Sequence, residues 1–229
     1  MPPEPGEIIA LIPGYNEVHF ISQVVQGASQ HVPVIVIDDG STDGTGAAAA
    51  GAGAQVITHS VNQGKGKALN TGFDYAVERG VAAAITLDAD GQHDPSEIPR
   101  FIEAFRRGAA DIIIGQRRFS EMPRKNRWGN RTGTWLLSLA MGRRIPDNQS
   151  GYRLLNAEVL HTIRPTSTRF EAEVELLLRA QLAGFSMAWV PIKTIYNEKV
   201  SHYRPLLDSY LFLKMVWRIW RARRSGTFE

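Results

Sequence analysis

The sequence predicts an α/β fold with a mostly parallel central sheet and helices on both faces. Two observations favour it: short apolar or β-branched runs alternate with segments of helical spacing, and polar or glycine-bearing residues follow each run. Strands buried on both faces have this continuous apolar character, and their alternation with helices is typical of parallel sheets. The predicted strands cover residues 8–12, 34–37, 56–58, 83–87 and 112–114.

Helices are predicted between these strands, at residues 18–29, 65–79 and 96–107. Asp94 and Pro95 precede the last helix, and these residue types favour the N-cap and first turn. The alanine-rich residues 47–55 are interpreted as a helix end stopped by glycine. After Ser120 we expect an elaboration of the same domain, with a polar turn at 147–151, a helix at 171–183 and a strand at 188–194.

The composition excludes several kinds of chemistry and location. The 229 residues include no cysteine, which excludes disulfides, thiolate metal sites and a cysteine nucleophile, and agrees with a reducing compartment. The N-terminal MPPEPGE lacks a signal-peptide pattern, and no apolar run approaches the about 20 residues that cross a bilayer. We therefore expect a cytoplasmic protein that is not integral to a membrane.

Acidic residues follow two of the predicted strands. LDADGQHD, residues 87–94, comes after the fourth strand, and DDGSTD, residues 38–43, comes after the second. Because ligands of such sheets bind beyond the carboxyl ends of the strands, we expect both clusters at one edge. Oxygen ligands of this kind suit Mg²⁺ or Mn²⁺ carried with substrate phosphates; the alternative is a solvated turn.

Two further stretches bear on phosphate and nucleoside binding. IPGYNE, residues 12–17, lacks the glycine pattern of a dinucleotide-binding turn, and NQGKGKAL, residues 62–69, lacks that of a P-loop. Lys65 or Lys67 could still neutralise an anion, or both could be solvated. Asp38 and Asp39 could accept ribose hydroxyls or a base N–H, while Asp43 or Ser41 caps the next helix.

Together these four stretches resemble family 2 glycosyltransferases of GT-A fold, most closely the branch of dolichyl-phosphate mannose synthases and polyprenyl-phosphate sugar synthases. The resemblance spans residues 8–210 and implies a metal and diphosphate site formed by Asp88, Asp90 and Gln92. It implies that the nucleoside is held by Pro13, Tyr15, Glu17 and Asp39. Arg117, in IIGQRR, is assigned to the phosphate region, and DNQSGYR, residues 147–153, to a segment closing over sugar and acceptor. The helix of residues 169–180 would carry acidic residues toward the site.

The loop after the last strand departs from the family pattern. Some members carry an Arg and a Ser-Lys pair there, whereas this loop reads YNEKVSHYRP. The phosphate-binding candidates in this chain are Lys67, Lys199, Ser201, His202 and Arg204. Which residue of the loop carries the positive charge stays open at this point.

The predicted activity is a metal-dependent, inverting transfer of a sugar from a GDP- or UDP-sugar to a polyprenyl phosphate. The predicted catalytic residues are Asp88, Asp90, Arg117 and Asp147, with Mg²⁺ or Mn²⁺ as cofactor. A hydroxyl acceptor would require a base, for which the candidates are Asp94, Asp147, Glu171 and Glu173. The alternatives are transfer to such a hydroxyl, a sugar-1-phosphate nucleotidyltransferase and, last, a nucleic-acid-binding module; we expect no nucleic-acid partner.

The C-terminal residues bear on the acceptor. Residues 204–224 combine many apolar and aromatic side chains with a terminal arginine cluster, which is typical of a helix lying at a membrane interface. The alternative is a helix packed on the domain with a basic tail. Residues 127–144 have similar chemistry. We therefore predict a GT-A domain at residues 1–204, an amphipathic basic helix at 205–229, and peripheral attachment to the inner face of the cell membrane.

Overall fold

The computed structural model describes residues 3–117, 124–147, 150–169, 171–195 and 205–225. In these residues a sheet of seven strands has the order β3-β2-β1-β4-β6-β5-β7. The strands are β1 (Ile8–Gly14), β2 (Val34–Asp38), β3 (Gln55–Thr58), β4 (Ala83–Thr86), β5 (Ile112–Arg117), β6 (Arg153–Asn156) and β7 (Met187–Ile192). The helices are α1 (Val18–Ser29), α2 (Thr45–Gly51), α3 (Lys65–Glu78), α4 (Ile98–Arg106), α5 (Arg124–Met141), α6 (Ala157–Thr162), α7 (Glu171–Leu182) and α8 (Pro205–Ser225).

The sheet is mostly parallel, which confirms the predicted fold class. β1 pairs parallel with β2 and β4, β2 with β3, and β5 with β7. β6 is the exception, since it runs antiparallel between β4 and β5. β6 was not predicted from the sequence, because its four residues begin with an arginine and form no long apolar run.

Helices cover both faces of the sheet because neighbouring strand residues point to opposite sides. One core contains Ile9, Leu11, Ile35 and Ile37 with side chains of α3, α6 and α7. The other contains Ala10, Ile12, Val34 and Val36 with side chains of α1, α2 and α4. The predicted N-cap before α4 is also present, since Asp94 accepts a hydrogen bond from the Ser96 backbone N–H at 3.0 Å.

A third apolar cluster joins α5, α7 and α8. It includes Leu137 and Met141 of α5, Val174 and Leu178 of α7, and Met215 of α8. One side of α8 is therefore packed on the domain. Among the described helices, none combines the length and apolar character that a membrane crossing requires.

Candidate active site

The carboxyl ends of β1, β2 and β4 bring the predicted motifs to one edge of the sheet. β1 and β2 end in register, with Gly14 opposite Asp38, and β4 lies on the other side of β1. Asp38 and Asp39 after β2 are buried, and so is Glu17 after β1. The parallel strands thus place both acidic stretches at one edge of the sheet, with β1 between them, as the sequence predicted.

Four charged side chains form the centre of this edge; we call Lys65, Asp88, Arg153 and Glu173 the Lys65 cluster. The Lys65 ammonium donates to Asp88 Oδ1 at 2.5 Å and also contacts Glu173 Oε1. Arg153 Nη2 lies 3.5 Å from Glu173 Oε2, and its Nη1 donates to the Glu173 carbonyl at 2.9 Å. Arg153 is only 2% exposed, so the ion pair with Glu173 compensates a charge inside the protein.

Mutual compensation keeps the pair of Lys65 and Asp88 charged. Burial alone would lower the pKa of Lys65, but Asp88 and Glu173 raise it overall. Burial alone would raise the pKa of Asp88, but the positive charge of Lys65 lowers it overall. Each charge therefore stabilises the other at neutral pH.

A small cavity opens beside this cluster. It is lined by Pro13, Lys65, Leu69, Thr86, Leu87, Asp88, Gly151, Arg153, Glu173 and Leu176. A Cβ added at Gly151 would lie 2.9 Å from both Asp88 carboxylate oxygens and from Glu173 Oε1. Glycine at this position therefore lets the described part of the DNQSGYR segment approach the carboxylates closely, and the Gly151 carbonyl accepts a hydrogen bond from Thr86.

His93 shapes the acidic loop from inside. The Asp88 backbone N–H donates to His93 Nδ1 at 3.0 Å, which assigns the ring proton to Nε2, 3.8 Å from Asp88 Oδ2. Burial lowers the pKa of His93 despite the nearby Asp88 carboxylate. His93 is therefore a neutral, buried side chain that orders the loop, a role the sequence analysis did not assign.

Asp90 differs from Asp88 in its electrostatic surroundings. Burial raises the pKa of Asp90, and the negative charge of Asp88 raises it further. Its Oδ1 accepts a hydrogen bond from the Gln92 backbone N–H at 3.0 Å. A cation shared by the two carboxylates would relieve this repulsion, and their oxygens are suitable ligands for Mg²⁺ or Mn²⁺.

The described residues contain no group of three or more His, Cys, Asp or Glu side chains arranged to hold a metal. A metal in this site would therefore need water or substrate oxygens to complete its coordination. This donor set fits an ion carried by a diphosphate, since Mg²⁺ in such sites takes only one or two protein carboxylates.

Arg117 and Asp147, two predicted catalytic residues, are bound to each other. Arg117 donates from Nε to Asp147 Oδ2 at 2.8 Å and from Nη2 to Oδ1 at 3.0 Å, and the Asp147 side chain is 1% exposed. Both carboxylate oxygens of Asp147 are therefore engaged by the guanidinium of Arg117. The geometry thus favours a role for Asp147 in orienting Arg117.

The Asp39 carboxylate holds the loop in front of α3. Its Oδ1 accepts from His59 Nδ1 at 2.7 Å and from the Gln63 backbone N–H at 2.9 Å, and Oδ2 accepts from the Gly64 N–H at 2.8 Å. Asp39 therefore fixes the chain just before Lys65. The nucleoside-binding roles of Asp39, Pro13, Tyr15 and Glu17 stay predictions; Pro13 lines the cavity and Tyr15 is partly buried.

The expected capping role falls to Asp43. Its Oδ1 accepts from the Thr45 backbone N–H at 2.9 Å, and its Oδ2 accepts from the Val18 N–H at 3.1 Å. One carboxylate thus satisfies backbone donors at the starts of α1 and α2. Ser41 instead accepts from the Asn16 N–H at 3.0 Å.

The remaining predicted site residues lie outside the Lys65 cluster or outside the described residues. Lys67 is exposed, and Lys65 is the lysine of that stretch that reaches the carboxylates. Lys199, Ser201, His202 and Arg204 lie outside the described residues. Of the candidate bases, Asp94 accepts from Lys193 Nζ at 2.8 Å, and Glu171 is partly buried in the first turn of α7.

Comparison with solved structures identifies the class of fold. The chain resembles glucosyl-3-phosphoglycerate synthase from Mycobacterium tuberculosis, solved with Mn²⁺, UDP-glucose and phosphoglyceric acid, with a TM-score of 0.73. The two chains are 20% identical, and the likeness covers 98% of this chain and 81% of that one. The protein therefore has the GT-A glycosyltransferase fold that the sequence predicted.

The chain belongs to glycosyl transferase family 2, because the sequence model of that family matches residues 9–167, more than half of its length. It is therefore a glycosyltransferase, which confirms the predicted enzyme class. It is 30% identical over 207 residues to an undecaprenyl-phosphate mannosyltransferase from Micrococcus luteus, covering 83% of this chain and 84% of that protein. It is 31% identical over 217 residues to a UDP-N-acetylglucosamine–dolichyl-phosphate N-acetylglucosaminyltransferase from Methanococcus voltae, covering 83% and 86%.

Proposed function

We propose that the protein transfers a sugar from a UDP- or GDP-sugar to a polyprenyl phosphate, with inversion and with a divalent metal ion. The observation that carries this proposal is the pair of partly buried carboxylates, Asp88 and Asp90, at the carboxyl end of β4 beside the Lys65 ammonium. Relatives named for undecaprenyl-phosphate and dolichyl-phosphate acceptors support the acceptor class.

The charges of the site suit cleavage of a sugar–diphosphate bond. A divalent ion at Asp88 and Asp90, when bound, would stabilise the negative charge of the departing diphosphate. Lys65, already at this edge, supplies a further positive charge close to the same place. Arg117 is held in position by Asp147 and belongs to the same carboxyl-terminal edge through β5.

The ion pairing of three of the four candidate bases favours an anionic acceptor. Asp94, Asp147 and Glu173 are each engaged by a cation: Lys193, Arg117 and Lys65 respectively. At least one oxygen of each of these carboxylates is therefore already occupied by a cationic donor. A phosphate acceptor arrives already ionised and requires positioning rather than deprotonation, which agrees with this arrangement.

The donor and acceptor are tested together by supplying UDP- and GDP-sugars with Mn²⁺ and polyprenyl phosphate. We expect a charged product that partitions into organic solvent. It should form either with the UDP-sugars or with the GDP-sugars, but not with both. Asp90→Asn should remove product formation, whereas Glu103→Gln, at an exposed ion pair with Arg107, should leave it unchanged. Transfer only to soluble hydroxyl acceptors would overturn the polyprenyl-phosphate proposal.

We also propose that α5 and α8 present a membrane-binding face. Several large apolar side chains on these helices are exposed: Trp135, Leu139, Tyr210, Leu213, Trp217 and Trp220. On α8 they recur at spacings of three and four residues, so they share one face, while Met215 is buried against the domain. The helix therefore combines a packed side with an apolar exposed side.

The charge of these segments fits an anionic lipid surface. Neither residues 131–144 nor residues 209–225 contain Asp or Glu, and both contain several Lys or Arg residues. Basic side chains beside exposed aromatics are typical of helices at the membrane interface. The Arg221 guanidinium lies 5.6 Å from the Trp217 ring centroid, so cation and aromatic belong to the same surface.

Sedimentation with vesicles tests this face. We expect the protein to bind vesicles containing phosphatidylglycerol more strongly than neutral ones, and Leu213→Ser with Trp217→Ser to weaken binding at least tenfold. Val61→Ser is the matched control, since Val61 is an exposed apolar residue elsewhere in the fold. Equal binding by the double variant and the wild type would show that the face does not contact lipid.

A further inference from the structure

Glu175 is a fully buried carboxylate that the proposed chemistry does not use. It lies on α7, two residues after Glu173, and its side chain is 0% exposed. Its oxygens accept from the backbone N–H groups of Thr166 and Ser167 at 3.1 and 2.8 Å, and from Thr166 Oγ1 at 2.8 Å. Arg179 Nε donates to it at 2.6 Å. A buried charge with so many donors fixes the position of the loop that supplies them.

The charge is retained over the working pH range. Burial alone would raise the pKa of Glu175, but hydrogen bonds from Ser167 and the other donors lower it to about 2. The carboxylate is therefore ionised at neutral pH, and its hydrogen bonds are charge-assisted.

The loop held by Glu175, residues 163–169, packs against the first turns of α3. The Gly66 N–H donates to the Thr168 carbonyl at 3.2 Å, and Asn70 Nδ2 donates to the Pro165 carbonyl at 2.8 Å. A Cβ added at Gly66 would lie 1.8 Å from the Ser167 carbonyl oxygen. Backbone thus touches backbone at this point, so the loop and the start of α3 must move together.

The first residue of α3 is Lys65, whose ammonium lies between Asp88 and Glu173. α7 therefore bears on α3 in two ways, one by direct contact and one through the loop. Glu173 contacts the lysine directly, and Glu175 holds the loop that supports the backbone beneath it. Glu173 lines the cavity, whereas the Glu175 carboxylate is directed to the loop.

We propose that Glu175 is a positioning residue for the donor site: by holding residues 163–169 against α3, it sets the position of the Lys65 ammonium between Asp88 and Glu173. This inference rests on the proposed function for its effect on donor binding. Its structural part, the control of α3 by Glu175, is measurable without any ligand.

A double-mutant cycle tests whether Glu175 acts through Lys65. Binding of UDP and of GDP, each with Mn²⁺, is measured by calorimetry for the wild type, Glu175→Gln, Lys65→Met and the double variant. We expect Glu175→Gln to weaken binding about tenfold, and to cause no further loss once Lys65 is replaced. Glu103→Gln is the matched control, since Glu103 makes the same i,i+4 pair with an arginine, Arg107, on the exposed surface.

Full additivity of the two substitutions, or unchanged binding in Glu175→Gln, would overturn the inference. If Glu175→Gln folds poorly, Thr166→Val is measured in its place. This substitution removes one hydroxyl donor to Glu175 and keeps the backbone donors. It should weaken binding in the same direction but by a smaller factor. Unchanged binding in a folded Thr166→Val variant would also count against the inference.

Hydrogen exchange separates this inference from the proposed function. In the ligand-free protein, Glu175→Gln should accelerate amide exchange in residues 64–70 at least tenfold, while Glu103→Gln leaves it unchanged. Unchanged exchange there would contradict the positioning role. If the wild type binds neither nucleotide but exchange changes as expected, the donor proposal fails and the positioning of α3 by Glu175 stands.

Discussion

Replacing Lys65 by Met tests the electrostatic balance of the site. The substitution keeps much of the side-chain volume but removes the charge that compensates Asp88 and Glu173. At 2.5 Å, with an effective dielectric constant of about 20, the attraction between Lys65 and Asp88 is roughly 7 kcal/mol before the cost of desolvation. Removing one partner of a fully buried pair costs about 3 to 5 kcal/mol. The Lys65–Asp88 pair is partly buried, with side chains 22% and 28% exposed, so the lower end of this range applies. We therefore expect the free energy of unfolding to fall by about 3 kcal/mol at pH 7.

The loss should depend on pH in a defined direction. The pKa of Asp88 is lower in the folded protein than its ordinary value of 3.8, so the unfolded chain binds the proton more readily. Pairing therefore contributes fully above about pH 4 and is lost as the pH falls and Asp88 becomes protonated. The difference between wild type and Lys65→Met should be largest at neutral pH and should shrink below pH 4.

Urea denaturation followed by tryptophan fluorescence and circular dichroism measures both effects. Lys193→Met is the control, because Lys193 forms an exposed pair with Asp94 at 2.8 Å and its replacement should leave stability nearly unchanged. If Lys65→Met were no less stable than Lys193→Met at pH 7, the charges of the Lys65 cluster would not compensate each other in the folded protein. A difference that persisted unchanged at pH 3 would refute the assignment to carboxylate pairing.

Asp90→Asn should reduce turnover at least a hundredfold with an unchanged melting temperature, measured by product formation and calorimetry; substantial residual activity would place the metal elsewhere. Gly66→Ala should destabilise the fold by more than about 2 kcal/mol in urea denaturation, because its Cβ has no room beside the Ser167 carbonyl. Gly51→Ala, which meets nothing within 4 Å, should be neutral or slightly stabilising. The pKa of Glu175 is about 2 in the folded protein, against an ordinary value of 4.5. The ionised carboxylate should therefore contribute roughly 3 kcal/mol to the free energy of unfolding above pH 4.5, and this contribution should be lost as the pH falls toward 2. Glu175→Gln should lack this part of the acid dependence.

The sequence was sufficient for the α/β class, for six of the seven described strands and for the edge where the acidic motifs meet. Buried parallel strands are encoded locally, as apolar runs, and their carboxyl ends necessarily share an edge. β6 was not predicted because its first residue, Arg153, is charged and favours a polar turn over a buried strand. An arginine is acceptable at that buried position because the carboxylates of Glu173, Asp147 and Asp88, all outside β6, lie near its charge.

Which side chains meet was decided by the tertiary structure. Lys65 and Lys67 are equivalent in the sequence, but two residues apart on a helix they point about 200° away from each other. Gly66 packs on residues 163–169, about a hundred positions later in the chain, and it is Lys65 that reaches the carboxylates. The pairing of Arg117 with Asp147 likewise joins residues 30 positions apart. Residue types and local periodicity determine the strands, the helices and the kind of chemistry, whereas ion pairs depend on distances that exist only once those elements have packed.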